Sequence, residues 1–503
     1  MGRINTNVQS LVAQRVLGSN QKSLAQSLER LSTGLRINSG KDDPAGLIAS
    51  NNLGAEIVGK NSAITNSNRA DQVVNIAAGG LTEVSGLLTQ LQGLVTSSSS
   101  TAGLSQAERQ ANQLQVDSIL QTIDRISSST SFQGIKLLNG NFDFKTSSVN
   151  AGVSDYKINA AKYNGAALNV NVLVTGSAQQ GGMFMSFGAA SIDTATGSQF
   201  TVEVGGSVGN RQLTFSSSTS LTNIAAAINS FTSITGAKAT VSGTGIRLDA
   251  TEYGSSNFTS LRVVNAGGIA NGGQQGVYDL QAANTAAANT TRVSTFAGAS
   301  NTKTNKGKDL NATINGVAAT TNGKTARINT DFLDVEVTLT DSQSRTLGGV
   351  GTNALAITGG GASFLLGGNV DIAGKVSIGI QSVGSSKLGT AALGYLSSLA
   401  SGQAQNLVGG DTDKAQQIVT AAISQVSSLA GRLGAFQSNT IGATIRSLGV
   451  AVENSTAAQS VIRDSDFATE TAGLTRSQIL VNASTNILGL ANQTPQSALQ
   501  LLG

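Results

Sequence analysis

Both ends of this chain carry the spacing of coiled-coil helices and the long middle does not, so the ends must find each other across everything between them. Leu17, Leu24, Leu28, Leu31 and Leu35 are separated by 7, 4, 3 and 4 positions, and Ile4, Val8 and Leu11 form an earlier stretch slightly out of phase. Apolar residues recurring at three and four line one side of a helix, and such a stripe is stable only against a partner. Asn38, Ser39 and Gly40 break the pattern, and Pro44 suits the first turn of a new helix. The next stripe, Val74, Ala77, Leu81, Val84, Leu88, Leu91 and Val95, runs without a miss, and Ile57 and Ile64 extend it backwards. A single helix over residues 44–98 would be about 80 Å long, weakened by about 1 kcal/mol at each of Gly79 and Gly80. Ser97 to Thr101 reads as a polar turn. Ser105 to Glu108 is a capping-box pattern opening a third helix, with Val116, Ile119, Ile123 and Ile126 along its seam.

From about residue 141 the texture changes to alternation and turns. Gln199–Val204 and Arg211–Phe215 read as a hairpin, Leu221–Ser230 as a short helix, and Lys238–Val241 with Ile246–Leu248 as a second hairpin. Phe332 to Leu339 alternates as a half-buried strand does. Helical texture returns near Tyr395. After Asp411, Thr412 and Asp413, good capping residues, one seam runs Val419, Ile423, Val426, Ala430 and Leu433 and the next Ile441, Ile445, Leu448 and Val452. A last seam, Leu480, Ala483, Ile487 and Leu490, precedes Pro495 and the apolar tip Leu499, Leu501 and Leu502.

The fold class expected is therefore α+β and multidomain. The simplest arrangement packs the N-terminal helices against the C-terminal ones; their division into a coiled-coil inner domain (1–43 with 459–503) and a helical rod (44–145 with 391–458) is what the family resemblance given below implies. One or two strand-rich domains (146–390), outer ones by the same resemblance, are inserted between the halves. Such a rod has modest cores, and its ends need neighbours.

Composition narrows the chemistry. The chain of 503 residues has no His, no Cys and no Trp. Without His there is no side chain titrating near neutrality, and triads built on it are impossible. Zinc sites built on Cys or His are excluded. A carboxylate pair is the remaining catalytic option, so the expectation is a non-enzyme without cofactor or metal. Basic residues are dispersed and aromatics make up 4%, which gives nucleic acid neither a basic patch nor a stacking platform. No apolar run reaches the roughly 18 residues that span a bilayer, and the N-terminus lacks a signal-peptide core. Met1 to Thr6 fits the loose myristoylation pattern, but the seam starting at Ile4 gives these residues another use.

Several ordered runs resemble bacterial flagellin. They are Arg3–Asn7, Leu28–Leu47, Asp124–Ile126 with Phe132–Gly134, Gly431–Ala435 and Arg463–Glu470. Gln478–Leu480, Ala491–Gln493, Pro495–Gln496 and Leu501–Leu502 complete the match. The likeness covers about residues 1–140 and 390–503; Phe200–Leu248 resembles, less specifically, a small insert of some flagellins. It implies a structural subunit that polymerises into the extracellular flagellar filament for swimming. It further implies type III export unfolded, without a cleaved signal, and partners in the export apparatus, a secretion chaperone, the filament cap and hook-junction proteins. Two alternatives are a hook-filament junction protein and a glycan-binding outer domain displayed on a filament.

Self-association is expected at Ile4, Val8, Leu11, Leu24, Leu28, Leu31, Leu35, Leu480, Ile487, Leu490, Leu499, Leu501 and Leu502. Arg36, Lys41, Asp42 and Asp43 are candidate polar contacts between subunits, with helix-start charge the competing explanation for the aspartates. Adjacent carboxylates on a helix do not face each other, which argues against a metal. Asp464 and Asp466 lack an EF-hand loop and suit helix capping; Gly349 to Ala354, loosely a dinucleotide fingerprint, lacks a framing strand and helix. Some flagellins engage an innate immune receptor through the rod. The resemblance places Leu94 where the recognised type has leucine, Gln90 where it has arginine and Gln115 where it has glutamate, implying a weak interaction.

Overall fold

The computed structural model describes residues 6–100, 103–269, 274–280, 288–350 and 353–500; side chains of 288–290 and 494–500 fall outside the description. Among these residues the longer helices are α1 (Val8–Thr33), α2 (Pro44–Ser98), α3 (Gln106–Ser129), α4 (Leu221–Asn229), α5 (Thr412–Ala435), α6 (Gly442–Arg463) and α7 (Phe467–Gln500). Two compact units divide the chain: residues 1–78, 364–375 and 431–503 form one, and 79–363 with 376–430 the other.

In the first unit α1 starts where the Asn7 side chain accepts the Ser10 N–H at 3.0 Å. It stops at Gly34, whose φ of 73° belongs to the left-handed region and lets its N–H close back onto Arg30 O. α1 and α7 run antiparallel, because partners advance in opposite directions: Asn7 donates to Ala491 O at 2.7 Å, Asn20 to Ser484 Oγ at 2.7 Å, and Arg30 lies 3.9 Å from Glu470. A π-helical turn, Phe436–Ile441, leads into α6. The segment 364–375, expected to lie wholly with the outer domains, clusters with these helices, its Phe364 ring 6.1 Å from that of Phe436.

In the second unit Leu81, Val84, Leu88, Leu91 and Val95 of α2 are fully buried, as are Val116 and Ile123 of α3. The Ser105–Glu108 capping box forms as read, and α2 continues through Ser98 where a turn was expected from Ser97. Gly80 is needed for contact: a Cβ there would lie 2.7 Å from Leu138 Cδ1, whereas Gly79 faces open space. The buried apolar residues of α5 are Ala415, Ile418, Val419, Ala422, Val426, Leu429 and Leu433. Ala422 and Leu429 take the places expected of Ile423 and Ala430, which are half-buried.

The strands gather round two apolar cores. One holds Met183, Met185, Phe200, Ile224, Leu248 and Val277, the other Ile158, Val172, Leu310, Val335 and Ile357. Phe200–Gly206 pairs with Asn210–Phe215, and Ala237–Ser242 with Gly245–Tyr253, as the hairpin pattern requires. Leu333, Val335, Val337 and Leu339 face inward, while Phe332 stays outside the strand and exposed. That strand pairs with the distant Val153–Ala161. Gln179 and Lys308 exchange both backbone hydrogen bonds at 2.8 and 2.9 Å, closing the chain round the first core.

Candidate self-association surface

The helices that pair in the first unit turn toward each other a mixture of small, polar and aliphatic residues, of which the serines and alanines are the most deeply buried. The inward line of α1 is Ser10, Ala13, Leu17, Asn20, Leu24, Ser27 and Leu31, and that of α7 is Glu470, Leu474, Ser477, Val481, Ser484, Leu488 and Ala491. Both lines alternate steps of three and four. Hydrogen bonds cross between them: Ser10 Oγ donates to Asn492 Oδ1 at 2.7 Å, and Ser484 Oγ accepts from Asn20 Nδ2 while donating within α7 to Leu480 O at 2.6 Å.

Further large apolar side chains lie beside this line and face outward. Val8 is 59% exposed, Leu11 58%, Leu480 44%, Ile487 59% and Leu490 64%. Leu28 is exposed too, whereas Leu24, Leu31 and Leu35 are half-buried. Val8, Val12 and Val16 from α1 face Ile487 and Leu490 from α7 across an open apolar groove of about 440 Å³. Val12 and Val16 escaped the seam reading, although the four-residue steps from Val8 would have exposed them. Ile4, Leu501 and Leu502 lie outside the described residues, and of Leu499 only the helical backbone is described.

The loop after α1 is organised from within. Asp42 Oδ2 accepts from the Ser39 N–H (2.9 Å), the Ser39 hydroxyl (3.0 Å) and the Asn38 N–H (3.2 Å). The Ser39 backbone bond, then its hydroxyl bond, hold this carboxyl below the ordinary carboxylate range. Asp43 Oδ1 accepts the Gly46 N–H at 2.9 Å and so caps α2. Arg36 donates from Nη2 to Ile462 O at 2.6 Å. Lys41 is exposed and makes no hydrogen bond or ion pair among the described residues. Asp466 caps α7, accepting from the Ala468 N–H (2.9 Å) and from Thr469. Asp464 instead accepts the Ser460 hydroxyl at 2.5 Å at the end of α6.

In the second unit Gln90 and Gln115 are exposed and Leu94 is half-buried. Among the described residues no three metal-ligating side chains converge, and no helix is long and apolar enough to cross a membrane.

Family models and curated relatives agree on one family. Residues 4–143 match the bacterial flagellin N-terminal helical region and residues 416–502 the C-terminal helical region. The chain is 31% identical to flagellin of Salmonella typhimurium over 526 aligned positions, covering 99% of both chains. It is 30% identical to B-type flagellin of Pseudomonas aeruginosa, again over 99% of both. Among solved structures, the flagellar cap protein of Escherichia coli overlaps 75% of this chain and 96% of its own, at 15% identity and a TM-score of 0.25, a likeness that carries no argument. With full-length flagellin relatives and paired terminal helices around a strand-rich middle, the chain belongs to the bacterial flagellins, the structural subunits of the extracellular filament used for swimming.

Proposed function

We propose that this flagellin polymerises through the outward apolar stripes of α1 and α7, with no catalytic activity of its own. The observation that carries the reading is apolar surface left over on these helices: the face turned to the partner helix mixes serines and an asparagine with leucines, while Val8, Val12, Val16, Ile487 and Leu490 line a groove open to solvent. Burying an aliphatic side chain completely is worth about 1.5–3 kcal/mol. Five half-exposed ones therefore offer about 5 kcal/mol to a neighbouring copy. Leu11, Leu28 and Leu480 extend the surface, with Ile4, Leu499, Leu501 and Leu502 as its terminal continuation. An isolated pair of helices whose shared face holds only half-buried leucines and a valine among serines is marginal, so neighbours would also order it.

The inner domain on this reading comprises 1–43 and 459–503, the rod 44–145 and 391–458, and the outer region 146–390 except for 364–375. Lys41 is the favoured polar contact to a neighbour, since Arg36, Asp42 and Asp43 have uses inside the chain. The chain would leave the cell unfolded by type III export and meet a secretion chaperone, hook-junction proteins and the filament cap. Its exposed Gln90 and Gln115, neutral where the immune-activating type is charged, make it a weak receptor ligand. The test is deletion of residues 490–503. The truncated protein should keep a folded rod and fail to elongate filament seeds; normal filaments would refute the reading.

A further inference from the structure

Residues 385–407 hold few hydrogen bonds of regular secondary structure, yet Leu388, Leu396, Leu399 and Leu407 within them are buried. Side chains of α3 supply the missing partners. Asp124 accepts from Ser385 twice, from the N–H at 2.7 Å and from the hydroxyl at 2.8 Å. Asp117 accepts the Ser401 N–H at 2.9 Å and the Ser401 hydroxyl. Gln113 donates to Leu399 O at 2.8 Å and accepts the Leu407 N–H at 2.7 Å. Steps of four and seven put Gln113, Asp117 and Asp124 on one face of the helix. From α5, Gln425 pairs with both backbone groups of Gly389 at 2.9 and 2.7 Å.

The bonds from α3 form two groups, Asp124 with Ser385 and Gln113 with Asp117, joined through the backbone of residues 397–399. Gln113 Nε2 donates to Asp117 Oδ1 at 3.0 Å, which ties two anchors together. Ser385, held by Asp124, accepts the Ser397 N–H at 3.0 Å, and Leu388 accepts that of Leu396 at 2.8 Å. The 396–399 turn packs on α3. Gln113 and Ser401 share the acceptor Asp117 Oδ1, and the short chain between the anchors carries the buried Ser385, Leu399 and Leu407, so freeing one anchor strains the rest.

We infer that residues 385–407 form a strap that opens and closes as one cooperative unit, latched to α3 by Gln113, Asp117 and Asp124. A polar latch also fixes register. Sliding the strap by one residue would orphan six hydrogen bonds at once, whereas leucines alone tolerate sliding. The strap thus sets how the returning chain aligns on the N-terminal half.

Residue-resolved amide hydrogen exchange on the full-length monomer tests this, reading the N–H groups of Ser385, Ser401 and Leu407. In Asp117→Ala all three should exchange faster by about tenfold or more, the effect of losing a hydrogen bond to a charged group. Ile119 and Ile123 inside α3 should keep their protection. Ser385→Ala, which removes one hydroxyl, should accelerate Ser401 and Leu407 as well. Acceleration confined to the mutated anchor's own partner would overturn the inference, as would loss of protection in α3 together with the strap.

Discussion

Replacing Ile487 by aspartate separates folding from assembly. In the monomer this side chain is 59% exposed, so a carboxylate there stays hydrated and should change stability by about 0.5 kcal/mol or less. In a polymer that covers the groove, the same carboxylate loses the isoleucine's burial, about 1 kcal/mol, and must be desolvated without a counter-charge, which costs about 3 kcal/mol or more. The sum of about 4 kcal/mol per subunit, at 1.4 kcal/mol per tenfold, raises the critical concentration for elongation by about three orders of magnitude. Sedimentation of seeded reactions measures that concentration, and circular dichroism of the monomer checks the fold. A variant that melts like the parent yet elongates at a critical concentration within about threefold of it would refute the reasoning.

Three other outcomes follow from separate parts of the molecule. Gly79→Ala should stabilise the rod by up to about 1 kcal/mol, since only helix propensity changes there, whereas Gly80→Ala should destabilise it by about 1–3 kcal/mol through the clash with Leu138; equal signs in thermal melts would contradict this packing. The Asp466 carboxyl is held below its ordinary value of 3.8 by the Thr469 hydroxyl and then by the Thr469 and Ala468 N–H groups. Its stabilisation of the α7 start is therefore complete above that value and lost as pH falls through the depressed one, so the Ala468 and Thr469 amides should lose protection in acid, and Asp466→Ala should abolish that pH dependence. Gln90→Arg with Gln115→Glu should raise signalling by monomer in an innate-receptor reporter assay, since each restored charge strengthens a hydrogen bond by about 1 kcal/mol; unchanged signalling counts against those positions.

The long stripe from Val74 to Val95 was legible because every position is apolar and the steps never slip. The hairpins at 200–215 and 237–253 were legible because their strands are neighbours in sequence. What the sequence concealed has physical causes. The inward line of α1 and α7 interleaves Leu17, Leu24, Leu31, Leu474, Val481 and Leu488 with Ser10, Asn20, Ser27, Ser477 and Ser484, which hydropathy ignores, so in α7 the adjacent Leu480, Ile487 and Leu490 read as the packed seam. In α5, Ile423 and Ala422 are neighbours, and only packing decides which one points inward. The pairing of Val153–Ala161 with Leu333–Leu339 is set by tertiary closure, which periodicity does not encode. The strap's order rests on single polar side chains that look like ordinary surface residues of α3.

The central claim is that the outward stripes are subunit interfaces. A high-resolution electron cryomicroscopy map of filaments grown from this protein tests it most directly. The account predicts Val8, Val12, Val16, Ile487 and Leu490 buried against a second copy, with Ser10, Asn20 and Ser484 still joining α1 to α7 inside each subunit. Filaments in which these five side chains line solvent, or in which the α1–α7 pair is formed between different subunits, would contradict it.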